Sequence, residues 1–271
     1  MQRRGQRAFT MIEIALAIGV IGFALVAIIG ILPAGLNVQK DNREDTIVSQ
    51  DAPYFLNAIR NGEQRTNHNI LAQYVESITI SNLTDGGLTT YTNPSMPSLL
   101  VGTIGELTND AAIIGLLSTP EYDPRLLDPA GVLITNQVTA IVRAMTGSAT
   151  EQGGSNGAVA FRYAMTVEVV PWVGYGFEMT NYLAASDLIE SNFLYNRWYE
   201  SQFESQYMTN NIHEVRLKFS WPVLPNGNIG PNYQTYRSVV SAHLFMTNAA
   251  APFYWYFQPN TYTTNTLSAG L

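Results

Sequence analysis

The stretch Arg7-Ala8-Phe9-Thr10-Met11-Ile12-Glu13, with an unbroken apolar run from Ile14 to Leu32 behind it, decides the layout of the whole chain. The nineteen residues Ile14 to Leu32 carry no charge and no strongly polar side chain. As a helix rising about 1.5 Å per residue they would be about 30 Å long, one bilayer core. Glu13 is the single ionisable group at the edge of this block. A carboxylate there costs several kcal/mol unless it meets a partner or reaches the interface.

A basic start before an apolar run is also how a secretory signal peptide or a signal anchor begins, and Arg3, Arg4 and Arg7 supply that start. A signal peptide should end at an A-x-A-like site, and Leu32-Pro33-Ala34-Gly35-Leu36 offers none. An anchor fits the length, with the arginines held on the cytoplasmic side. Neither gives Glu13 a reason to be where it is.

Ala8-Phe9-Thr10-Met11-Ile12-Glu13 resembles the processing site of type IV prepilins and of the pseudopilins of type II secretion systems. That resemblance implies a leader, residues 1–8, cut between Ala8 and Phe9, with the new Phe9 amine then methylated. It implies that Glu13 pairs with the Phe9 amine of a neighbouring subunit, which would make a buried carboxylate tolerable. Ala8 stands where the family prefers Gly, and Pro33 falls a few residues later than the usual helix proline. The implied partners are a prepilin peptidase, an inner-membrane assembly platform, a motor ATPase and other pilin-like subunits. The implied location is the inner (cytoplasmic) membrane, single-pass, with the head in the periplasm or outside, and then a pilus or pseudopilus.

Within the apolar run, Ala15, Gly19 and Gly22 fall on one helix face, a small-residue seam that lets helices approach closely. Gly and Ala are also simply frequent in membrane helices. Gly30, Pro33 and Gly35 form a soft spot near the outer end, because proline removes a backbone donor and glycine adds freedom. Beyond Leu36 the pattern becomes amphipathic, with Val38, Ile47, Val48, Phe55, Leu56 and Ile59 set among Lys40, Asp41, Arg43, Glu44 and Asp45. This predicts a membrane and stalk helix over 9–60, with one face available to a globular domain. Pro53 is expected to kink or end it, and Asn61-Gly62 to close it.

The remainder, 61–271, predicts an α+β head on an antiparallel sheet. Ser77-Ile78-Thr79-Ile80 alternates like a strand, Asp85-Gly86-Gly87 is a turn, and 88–92 returns. Thr108-Asn109-Asp110 caps a short helix through Leu117. Pro120, Pro124 and Pro129 mark a surface loop whose Glu121, Asp123 and Asp128 match no defined calcium loop. Val132 to Met145 is a β-branched run, and Val159, Phe161, Tyr163, Met165, Val167 and Val169 alternate with polar or small residues. The two form a hairpin with one buried face. His213, Val215, Leu217, Phe219 and Trp221 repeat the pattern, with a turn over 222–231 and a return over 233–246. The stretch from His213 to Gly227, with Tyr236-Arg237-Ser238, resembles the Verru-Chthon cassette protein B group of prepilin-like proteins. An insertion, 171–211, carries a helix near 186–206 and the aromatics Trp172, Tyr175, Phe177, Trp198 and Tyr199, which suit either a partner surface or core packing. Phe253 to Phe257 reads as a last strand packed on the sheet.

Composition narrows the function. Net charge is −7 with no basic stripe, so nucleic-acid binding is not expected. There is no cysteine, hence no disulfide, thiolate metal site or Cys nucleophile. His68, His213 and His243 are the only histidines, and no H-E-x-x-H, G-x-S-x-G or nucleotide fingerprint occurs. Asp123/Asp128 and Glu200/Glu204 are acid pairs with nothing to place them in a cleft. The expectation is a structural prepilin-like subunit with no enzymatic role, cofactor or metal. The alternative is a membrane-anchored periplasmic binding protein or hydrolase acting alone.

Overall fold

The computed structural model describes residues 9–62, 70–83, 86–94, 105–127, 133–147, 161–172, 196–197, 200–201, 204–205, 207–247 and 252–262. A helix of 51 residues, α1 (Met11–Asn61), opens the chain. Nine strands follow in order: β1 (Val75–Asn82), β2 (Leu88–Thr92), β3 (Gly105–Glu106), β4 (Tyr122–Leu127), β5 (Leu133–Arg143), β6 (Arg162–Pro171), β7 (Ile212–Val223), β8 (Ile229–Met246) and β9 (Trp255–Pro259). A second helix, α2 (Asp110–Leu117), lies between β3 and β4. The sheet runs β3-β2-β1-β5-β6-β7-β8-β9, with β4 branching from β5. Every pairing is antiparallel except the short β2–β3 contact. The chain is thus α+β, with a long apolar N-terminal helix and an antiparallel sheet.

Contacts divide the chain into two compact units, Met1–Thr46 and Ile47–Leu271. The second begins inside α1, so the last turns of that helix are part of the head. Val48, Ala52, Phe55, Ala58 and Ile59 recur at helical spacing and join one hydrophobic core with strand residues such as Ile78, Val138, Met165, Leu217 and Phe219. Fully burying a large apolar side chain stabilises by about 1.5–3 kcal/mol. That explains why Pro53 does not end the helix, one of the two outcomes the sequence suggests. Pro53 is exposed and the helix runs on to Asn61. A helix-interior proline costs about 3 kcal/mol, less than the core contacts on either side of it return. Gly62 then closes the helix at φ +54°, and a Cβ added there would collide with the Phe257 carbonyl.

The two hairpins form with the expected faces inward. Val138 faces Val167 and Ala140 faces Met165 across β5–β6, while Val215, Leu217, Phe219 and Trp221 alternate inward along β7. Asn109 caps α2, accepting from the Ala112 N–H at 2.8 Å. Gly115 of α2 lies where any Cβ would collide with Tyr254 and Tyr256, so β9 packs directly on that helix. The last strand begins at Trp255, later than expected: Trp255, Tyr256 and Phe257 are buried as anticipated, while Phe253 lies before it and is exposed. One expectation fails: 122–127 is not a loop but strand β4, paired to β5 at Tyr122–Thr135 and Leu127–Leu133. Proline is tolerated there because β4 has a partner on one side only and its register is interrupted between those two pairs. The helix expected near 186–206 lies largely outside the described residues; those described within it are helical.

Candidate functional site

The residues singled out by sequence sit on the first unit, and Ala8 lies outside the described residues. Phe9 is 82% exposed and stands one residue ahead of the Thr10 that precedes the helix. Every residue from Phe9 to Arg43 is exposed, including the apolar side chains of Ile14 through Val38. The helix is long and apolar enough to cross a membrane. Ala15, Gly19 and Gly22 fall within it, and a Cβ built on either glycine meets nothing within 4 Å. The seam is therefore open to another chain's approach. Gly30, Pro33 and Gly35 lie inside unbroken helix, with open space around both glycines.

Glu13 has a local partner that the sequence expectation did not include. Thr10 donates both its backbone N–H and its hydroxyl to Glu13 Oε2, each at 2.9 Å, and the Glu13 N–H points back to Thr10 Oγ1 at 3.4 Å. This is a capping box: Thr10 is the N-cap, Glu13 the third helical residue, and two otherwise orphaned amides are satisfied reciprocally. The spacing T-x-x-E at positions 10 and 13 carries that signal. The apolar residues around it hide the capping meaning, because they make Glu13 look only like a buried charge. A carboxylate in the first turn also meets the positive end of the helix dipole.

The head holds three buried polar constellations. Asp51, on α1, accepts from the Met145 and Thr146 N–H groups at 2.9 and 3.1 Å, from Thr146 Oγ1 at 2.8 Å and from Tyr163 Oη at 2.9 Å. Burial raises the Asp51 carboxyl above its usual range, against the lowering effect of these donors, and raises the Tyr163 phenol strongly. The cluster clips the helix to the ends of β5 and β6. Glu76, at a bulge in β1, receives the Nε–H of both Arg143 and Arg162 on one oxygen, the Arg162 contact being 2.8 Å. Arg143 and Arg162 face each other directly across β5–β6, so Glu76 offsets a like-charge cross-strand pair. His213, on β7, is buried with its ring edge-on to Phe257 at 5.3 Å, and the half-buried His243 of β8 is close enough to act on it electrostatically. Burial first, and His243 second, depress His213 to about 4.

Each of these constellations ties distant parts of the head together. Among the described residues no three His, Asp or Glu side chains converge on a metal position. Glu200 and Glu204 are both exposed, while Asp128, Tyr175, Phe177, Trp198, Tyr199 and His68 lie outside the described residues. Trp172 is half exposed. Sequence alone does not bring Asp51, Glu76, Arg143, Tyr163 and Arg162 together as partners, since 67 to 112 residues separate the members of each contact. No family model, curated protein or solved structure matches the chain.

Proposed function

We propose that the chain is a prepilin-like structural subunit of a type IV pilus or type II secretion pseudopilus, assembled through its N-terminal helix. The observation that carries this reading is α1 itself. It starts with a capped turn directly after Ala8-Phe9, presents apolar side chains on every side through Val38, and ends inside the core of an antiparallel head. An all-round apolar helix is stable only among lipid tails or other helices, and an assembling subunit meets both in turn. In this reading a prepilin peptidase cuts before Phe9, the Phe9 amine is methylated, and the subunit waits in the inner membrane with its head outside the cytoplasm. An assembly platform and motor ATPase then move it into a bundle of like helices, where the seam at Ala15, Gly19 and Gly22 sets the approach. Both Thr10 contacts fall on Glu13 Oε2, and Oε1 is the oxygen we assign to the neighbouring Phe9 amine.

Intact mass and N-terminal sequencing of the native protein test the processing step. The expected mature chain begins at Phe9 with one added methyl group. A chain that keeps Met1, or begins after residue 33, would sink this reading.

A further inference from the structure

Strand β8 is 18 residues long, and its two halves have different company. Ile212–Val223 of β7 lies along one edge of Ile229–Ser241, while β9 reaches only Ala242–Met246. Among the described residues no strand pairs with the other edge of Ile229–Ser241. An uncovered edge of that length is a template for a further strand. Its side chains are accessible: Tyr233 is 68% and Val239 59% exposed, and Gln234, Thr235 and Arg237 are exposed too. Pro231 lacks an N–H and limits pairing at one end.

We propose that this edge is a self-complementary interface through which two copies of the chain pair their heads, antiparallel and centred on Thr235. The sequence of the strand carries the choice of occupant. In that register Tyr233 of each copy lies opposite the other copy's Arg237, an aromatic–guanidinium contact made twice. Thr235 faces its own copy, Gln234 faces Tyr236, and Asn232 faces Ser238, all polar pairs with matched donors and acceptors. Arg237, the only Lys, Arg, Asp or Glu in the strand, never faces itself. Lys218 already sits 5.2 Å from the Tyr233 ring centroid, leaving the ring's other face for the incoming guanidinium. A two-fold contact of this kind closes on itself and does not propagate. It is therefore a state separate from a helical array, and its presence or absence leaves the prepilin reading untouched.

The chain has no cysteine, so a single reporter thiol is unambiguous. Directly opposed Cα atoms in an antiparallel pair lie about 4.5–5.5 Å apart, inside the span a disulfide bridges. Full-length Thr235→Cys in detergent micelles, under mild oxidation, should form a covalent dimer on the order of tenfold or more faster than Leu88→Cys, because pairing raises the effective concentration of the two thiols. Leu88, also exposed and on β2, controls for association through the helix. Adding Tyr233→Ala to Thr235→Cys should bring the rate down toward that control. Equal rates for the Thr235 and Leu88 reporters overturn the proposal. So does cross-linking gained only when residues 263–271 are removed, which would assign the edge to the chain's own C-terminal segment.

Discussion

At the scale of single residues, Glu13 caps its helix with Thr10, and on the proposed function it has a second, separable duty. Capping needs Thr10 and Glu13 together; pairing with a neighbour needs the Glu13 charge alone. Thr10→Ala removes the cap, about 1 kcal/mol of helix stability, and keeps the carboxylate. Glu13→Gln keeps an acceptor for the Thr10 amide and removes the charge. On the proposed function, Thr10→Ala subunits should enter filaments nearly as wild type. Glu13→Gln and Glu13→Ala should be recovered in them hundreds-fold less, since breaking one member of a buried pair costs about 3–5 kcal/mol. Membrane level and cleavage should be unchanged in all three. Equal recovery of all variants from sheared filaments would remove the pairing role. Burial of His213 makes a second residue-scale prediction. Its pKa falls from 6.5 to about 4 on folding, so the unfolded chain binds more protons in that window and stability drops as pH falls through it. The loss is on the order of 3 kcal/mol by about pH 4. His213→Leu should flatten the stability–pH slope between those limits by close to one proton, read by denaturant unfolding at stepped pH. A slope unchanged by the substitution would show that this imidazole is not the group responsible.

At the scale of elements, local pattern is enough wherever a single segment decides its own structure. The alternation of β6 and β7, the Asn109 cap and the Asn61-Gly62 stop are all visible in the sequence because each depends on neighbours within a few residues. Pro53 and Pro124 cannot be read that way. There the local penalty is real, but packing outweighs it: for Pro53 a sheet contributed by distant sequence, for Pro124 the pairing of its strand with the next one. The relevant test is Phe55→Ala. Phe55 is fully buried and packs against Phe219 at 6.5 Å, so truncation should cost about 3–5 kcal/mol. With that contact gone, the proline's own cost should surface as fraying beyond Pro53, visible as faster amide exchange over 54–61. Unchanged exchange there would mean that the helix needs no help from the sheet.

At the scale of the whole molecule, the order of the parts is more legible in the sequence than their connections. A membrane-length helix ahead of a β-rich head is evident from residue 9 onward, and the buried face of β7 can be named residue by residue. The strand order cannot, because the antiparallel neighbours β6 and β7 are separated in the chain by residues 172–211, and nothing local marks Arg143 and Arg162 as converging on Glu76. The small-residue seam has the reverse problem: its pattern is clear, but on the proposed function its partner is another molecule. Leu217→Asp tests the sheet as a unit. Leu217 is fully buried, with Val167 and Tyr236 beside it in the ladder. An unpaired charge there should cost several kcal/mol, a large share of the roughly 5–15 kcal/mol that holds a domain together. An unchanged melting temperature would mean that the β7 face is assigned the wrong way round.

The cluster around Asp51 also has a mechanical meaning. On the proposed function the subunit is hauled by its helix, so the head must be towed without coming off. Tension running along the helix enters the head at Ile47 and meets, one turn later, a carboxylate held by four donors at the ends of β5 and β6. Those donors sit at the ends of two strands in the middle of the sheet, so the load passes to them. Asp51 is a tow hitch as much as a buried acid.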